Sequence, residues 1–348
     1  MHQRAIALVA GLMAGAGSGC SDHPSWPELQ PTALEYITAE EAGFSPEELQ
    51  RAVDGFEEIG SAAVVALYDG KILLSWGEVD RKFECHSIRK PLLSALYGIY
   101  VGAGVIDTTN TLAELGIDDI PPSLSDGEKE ARVADLLKSR SGVYHEAAAE
   151  VPQMAAERPE RLTHPPNTFF YYNNWDFNVA GVIFEHETGL GIFEAFDQDI
   201  ARPIGMEDWT SSDGHYSLEP EKSMHPAYPF RMTAMDLARF GLLYLHNGNW
   251  QGQQIIPQGW VAASTRPYSI LDPVFGTGYG MMWATIPEDD PKGIGGGFFH
   301  TGIGVHLLVV VPTKNLVIVH RVNTYQPWTM TDDDYFPLIE TIIHARIE

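Results

Sequence analysis

The stretch FECHSIRKPLLSALYGIY, residues 83–100, places Ser87 and Lys90 three apart at the head of an apolar run with helical spacing. Two readings compete for it. Serine favours helix starts and lysine is a common surface residue, so the pair can be an ordinary helix beginning. A serine and a lysine one turn apart on one face are also the parts of a nucleophile with its base. A chain of this length matches Ser-x-x-Lys about once by chance, so the surrounding sequence has to decide. Cys85, two residues upstream, is a second nucleophile candidate, but no histidine at a fixed spacing supports a thiolate pair. It reads as a packed structural residue.

With 348 residues and 44% hydrophobic content, the chain can bury a large core and has room for two domains or for one domain with a big insertion. Asp and Glu number 47 against 22 Lys and Arg, a formal charge of −25, and such a field repels polyanions. Nucleic-acid binding is therefore not expected. The 13 histidines show no His-Glu-x-x-His pair or Cys/His ligand spacing, so a catalytic metal is not expected. GIGGGFF (293–299) is Gly-rich but precedes a strand, the wrong context for a phosphate cradle.

The first twenty residues carry one Arg, an apolar small-residue run and Gly17-Ser18-Gly19-Cys20, the layout of an export signal over 1–20. Two outcomes stay open. Cleavage before Cys20 would leave it as a lipidated membrane tether, and simple cleavage nearby would give a soluble product. The expected location is exported: periplasmic, membrane-anchored as a bacterial lipoprotein, or secreted. With Cys85 the only other cysteine, a chain cut there has no internal disulfide available.

A linker over 21–40 precedes SPEELQRAVDGFEEIG, where Ser45 as N-cap, Pro46 at the first helical position and Glu48 at the third form a capping box. Two β-rich runs then flank Asp69-Gly70, a tight-hairpin signal. From 105 to 245 the pattern is mostly helical, with Pro-rich breaks and apolar-periodic runs that end in Gly. YGMMWAT, FFHTG, GVHLLVVVP and NLVIVHRVN read as strands, and DDYFPLIETIIHARIE closes as a helix with Pro337 near its first turn. These pieces predict an α/β (α+β) fold. One antiparallel sheet, built from 41–104 and 246–348 and flanked by N- and C-terminal helices, receives a large helical insertion over 105–245. The seam between the units is the natural place for a pocket.

Three elements stand in order along this frame: Ser87-Ile-Arg-Lys90, a Tyr-x-Asn in FFYYNNWDF, and His300-Thr301-Gly302. Of the eight lysines only Lys90 has Ser three residues before it. In this the chain resembles the serine β-lactamase and penicillin-binding-protein superfamily, whose elements are Ser-x-x-Lys, Tyr/Ser-x-Asn and Lys/His-Thr-Gly. The likeness runs from about residue 40 onward and is greatest to the class C branch, with its esterases, D-amino-acid peptidases and nylon-oligomer hydrolases. Tyr171-Tyr-Asn173 and Tyr172-Asn-Asn174 both fit the second element. Gly181, nine residues after Tyr172, matches the family pattern and selects Tyr172 and Asn174.

The resemblance implies a cofactor-free serine hydrolase that cleaves a small-molecule ester or amide through an acyl-enzyme on Ser87. Lys90 and Tyr172 would share the proton transfers, and which one deprotonates Ser87 stays open. The oxyanion would sit on the backbone N–H groups of Ser87 and Ile303, and Asn174, His300, Thr301 and Gly302 would bind substrate. The rival readings are a D-alanyl-D-alanine carboxypeptidase or β-lactamase and, from another class, an inactive envelope binding protein; no protein partner is evident. His300 stands where β-lactamases commonly carry Lys, and with the negative charge this favours neutral or cationic substrates. Arg89 replaces a residue that is often small, and reads as an outward ion-pair partner or as a narrowing of the pocket. Pro91 should distort or delay the first helical turn. SRSG (139–142) is either a helix stop or a border of the cleft.

Overall fold

The computed structural model describes residues 33–347. The expectations for a signal over 1–20 and a lipid on Cys20 lie outside the described residues.

Eight antiparallel strands make the main sheet: β1 (Ala63–Tyr68), β2 (Lys71–Gly77), β3 (Ser269–Asp272), β4 (Thr277–Tyr279), β5 (Ala284–Ile286), β6 (Gly297–Gly302), β7 (His306–Val311) and β8 (Leu316–Arg321). Their order is β2-β1-β8-β7-β6-β5-β4-β3, so the two ends of the chain meet where β1 pairs with β8, Val65 opposite Val319. Asp69 and Gly70 take φ of +49° and +76°, which suits the twist of a tight β1–β2 hairpin. The central strands read as unbroken apolar runs because both sheet faces are covered. Val65, Leu308, Val310, Val317 and Val319 point into one core, and Val64, Ala66, Leu307, Val309 and Ile318 into the other.

The second core lies under α1 (Pro46–Glu58) and α5 (Asp332–His344), which pack on each other and on the sheet. The Ser45 hydroxyl accepts from Glu48 N–H at 3.2 Å, but the reciprocal half of the capping box is absent: Glu48 pairs with Arg51, and Ser45 N–H donates to the Ala345 carbonyl at 2.7 Å. The N-cap thereby ties the two terminal helices together. Pro337 lies inside α5, in its second turn and not its first.

The first core holds α2 (Arg89–Gly102), α3 (Asn174–Thr188) and α4 (Ala234–Leu245). Every residue of α2 from Arg89 to Tyr100 is buried, as a helix between a sheet and a helical layer must be. Although α4 falls within 105–245, it lies directly against β1, β7 and β8. YGMMWAT forms two strands, β4 and β5. Between them the backbone bonds to the helical layer: Met281 N–H to Ser264, Met282 N–H to Leu137, and the Met281 carbonyl to the Ser94 hydroxyl. Strand β3 is an exposed edge without apolar alternation, and the sequence reading did not anticipate it.

Candidate active site

Ser87 sits in a 3-10 turn, His86–Ile88, that leads into α2. The residue before it, His86, has φ +47°, an uncommon conformation for a residue with a Cβ, and its Nε2 lies 2.8 Å from Thr324 Oγ1. Pro91 occupies the third position of α2, where its missing N–H would have no helical acceptor, so the turn tightens before Arg89 and not at the proline.

Lys90 is fully buried, and its Nζ lies 2.8 Å from Ser87 Oγ. The amine stands 4.7 Å from the centre of the Tyr172 ring and 4.9 Å from that of Phe177. Burial, reinforced by the charge of Arg89, holds the Lys90 ammonium well below the usual lysine range. Arg89 differs from both expectations. It is buried, donates from Nη2 to Asn178 Oδ1 at 3.1 Å, stacks 4.3 Å over Tyr228 and makes no ion pair among the described residues.

Tyr172, not Tyr171, faces this pair. Tyr171 turns away and donates to the Met154 carbonyl at 2.6 Å. The Tyr172 hydroxyl is buried without a hydrogen bond of good geometry; burial raises its pKa, while the nearby Ser87 hydroxyl draws it back in part. Asn174 starts α3, and its Nδ2 donates to the Ala149 carbonyl at 2.7 Å. SRSG both stops a helix and fixes this segment. Ser139 donates to the Tyr171 carbonyl at 2.6 Å and accepts from Asn173 N–H at 2.9 Å, and Ser141 Oγ lies 2.5 Å from Asp176. Burial raises the Asp176 pKa well above the carboxylate range, with the Ser141 hydroxyl opposing.

His300-Thr301-Gly302 ends β6. Strand β5 pairs with β6 only as far as Phe299, which leaves the edge of the last three residues open toward the serine turn. Gly302 is required by that approach: a Cβ there would stand 2.7 Å from the Cys85 carbonyl oxygen and 3.1 Å from His86 Cβ. His300 is buried, and its Nδ1 lies 2.8 Å from the Thr301 carbonyl. Burial first, then the charge of Lys90, pushes its pKa down to about 3. Cys85 is buried beside Arg321, and burial pushes its thiol up, which suits a structural residue.

Ser87, Tyr172, Asn174, His300, Thr301, Gly302 and Ile303 line one cavity of about 510 Å³, with Tyr279, Phe170 and Met154 among its walls. Lys90 lies behind Ser87. The sequence reading missed Tyr279, Asn178, Tyr228 and Asp176. Asp176 lies within FFYYNNWDF and Tyr279 within YGMMWAT, stretches read there for other residues or for their strand pattern.

A family model described as Beta-lactamase matches residues 49–339. Among solved structures, a protein described as a 6-aminohexanoate-dimer hydrolase from Bacillus anthracis is 18% identical with TM-score 0.66, over 90% of this chain and 88% of that one. The octameric penicillin-binding protein homologue from Pyrococcus abyssi is 16% identical with TM-score 0.62, over 81% and 74%. A class C beta-lactamase solved with cefoxitin is 14% identical with TM-score 0.62, over 85% and 97%. At these identities the likeness is one of fold. No curated protein matches the sequence.

Proposed function

Because the chain belongs to the beta-lactamase family, we propose that it is a serine hydrolase that cleaves an ester or amide bond through an acyl-enzyme on Ser87. The observation that carries this is the 2.8 Å approach of a fully buried lysine amine to the serine hydroxyl. An ammonium there has lost its water and gained no carboxylate, so the neutral amine is favoured, and a neutral amine is a base. Tyr172 is displaced the other way and stays a phenol. Lys90 therefore takes the Ser87 proton as Oγ attacks the carbonyl carbon. The oxyanion forms between the N–H of Ser87 and that of Ile303, the residue just past the open end of β6. As the intermediate collapses, the proton passes to the departing oxygen or nitrogen, with the Tyr172 O–H as relay. Water then attacks the ester of Ser87 with the same groups in reverse.

A β-lactam or D-Ala-D-Ala substrate brings a carboxylate, and His300, neutral in its buried setting, offers that anion no charge. This supports the ester or amide reading over the rival one. The test is Ser87→Ala with a fluorophosphonate probe. Wild type should label on the peptide containing Ser87, and the variant should lose both labelling and turnover. Ser87 Oγ caps no helix, so melting should change by less than ~1 kcal/mol. An adduct on Cys85 would overturn the assignment.

A further inference from the structure

Two buried acceptors, on side chains of residues that line the Ser87 cavity, have no partner among the described residues. Asn174 gives its Nδ2 to the Ala149 carbonyl, which fixes the orientation of the amide and leaves Oδ1 bare. His300 Nδ1 lies against the Thr301 carbonyl, which can only accept, so the hydrogen of the neutral ring is on Nδ1 and Nε2 is a bare lone pair. Both residues are only 4% exposed and both line the cavity. Tyr172 and Tyr279 also bring unpartnered hydroxyls, but a hydroxyl donates or accepts as required and sets no preference. The single charged side chain among the cavity residues is the carboxylate of Asp332.

Resting on the Ser87 reading, we infer that the natural substrate carries N–H donors near its scissile carbonyl, as an amine or an N–H amide, and no carboxylate. A buried acceptor left unpaired costs about 1–3 kcal/mol, and donors from the substrate remove that cost at both atoms. An ammonium gains the field of Asp332 as well. A carboxylate would set its lone pairs against two others and its charge against a like charge. Sites that hydrogen-bond a substrate group discriminate sharply against analogues lacking it.

The experiment measures the rate of fluorophosphonate labelling of Ser87 in the full-length protein, with four competitors of matched chain: hexylamine, hexanamide, N,N-dimethylhexanamide and hexanoate. Hexylamine and hexanamide should slow labelling at concentrations about tenfold below those needed for the other two, the effect of one well-made hydrogen bond. Asn174→Leu and His300→Phe should each shrink that ratio. Equal or absent protection across the four, or better protection by hexanoate, overturns the inference while intact labelling keeps the Ser87 reading. Absence of labelling on Ser87 removes that reading and the inference with it.

Discussion

Arg89 and Lys90 are consecutive buried basic side chains on one helix, and only Lys90 has a chemical reason to be neutral. A guanidinium keeps its proton under all ordinary conditions, and that of Arg89 is held by Asn178 and Tyr228 with no carboxylate paired to it among the described residues. Among the described residues the groups around Lys90 add no compensating anion: Ser87 and Arg89 on its own segment, His86 before it, Tyr172 and Phe177 across from it, and His300 on β6. Arg89 thus acts as a fixed charge that favours the neutral amine. Arg89→Met should let Lys90 hold its proton to higher pH. The base is active only when deprotonated, so the acid limb of the kcat/KM profile should move upward, and the rate at pH 7 should fall by roughly 10- to 100-fold, the lower end of what a general base supplies. Arg89→Lys, which keeps a cation, should leave the limb nearer its original place. A lower rate with an unmoved limb would mean that Arg89 only packs.

At the scale of elements, the site depends on how closely β6 and the start of α3 approach the serine turn. Gly302→Ala would push its Cβ into the Cys85 carbonyl, at a cost of about 1–3 kcal/mol. The strand can relieve the clash only by moving its open edge away from Ser87. Turnover and fluorophosphonate labelling should therefore both slow by about tenfold or more in a folded protein, since donors displaced by a fraction of an ångström lose much of their effect. On the helical side, Ser139→Ala leaves the Tyr171 carbonyl and Asn173 N–H without their partner, at about 1–3 kcal/mol. A denaturant titration should show that loss, together with slower labelling as Tyr172 loses its support. These two elements also mark what could be read in advance. Ser87, Lys90, Tyr172 and His300 sit in local motifs with fixed spacings, and the structure brings them to one place. The burial of Arg89 was hidden, because Asn178 and Tyr228 are 89 and 139 positions away in sequence and neither carries a charge to advertise the contact. The division of YGMMWAT was hidden for a similar reason: the bonds that interrupt it go to Ser94, Leu137 and Ser264, and the local pattern carries no trace of them.

Across the whole molecule, the apolar runs of β1, β7 and β8 made the sheet legible, because strands covered on both faces need nothing but hydrophobes. The polar groups that the same cores enclose were not legible as buried, and they set the dependence of stability on pH. His320 on β8 is fully buried, with Nδ1 2.8 Å from the Val305 carbonyl, Nε2 2.7 Å from the Ser61 hydroxyl and its ring stacked on Tyr335. Burial pushes its pKa down to about 4, whereas in the unfolded chain it returns to about 6.5. Between those values the unfolded state binds the extra proton. The contribution of His320 is therefore fully present above about pH 6.5 and lost as pH falls toward 4, a loss of about 2 kcal/mol between pH 7 and pH 5. His300 and His306 are depressed by burial and act in the same direction. Asp236, raised by burial to about 6, and Asp176, also raised by burial, act in the opposite one, because the folded state holds their protons. The net slope mixes both signs, so the measurement has to isolate one group. His320→Phe keeps the stacking on Tyr335 and removes the titration. Its urea stability should be lower than wild type at pH 7, through the lost bonds to Ser61 and Val305, yet the further fall on going to pH 5 should be smaller than that of wild type by about 2 kcal/mol. Parallel curves for the two proteins would show that His320 keeps an ordinary pKa in the folded state.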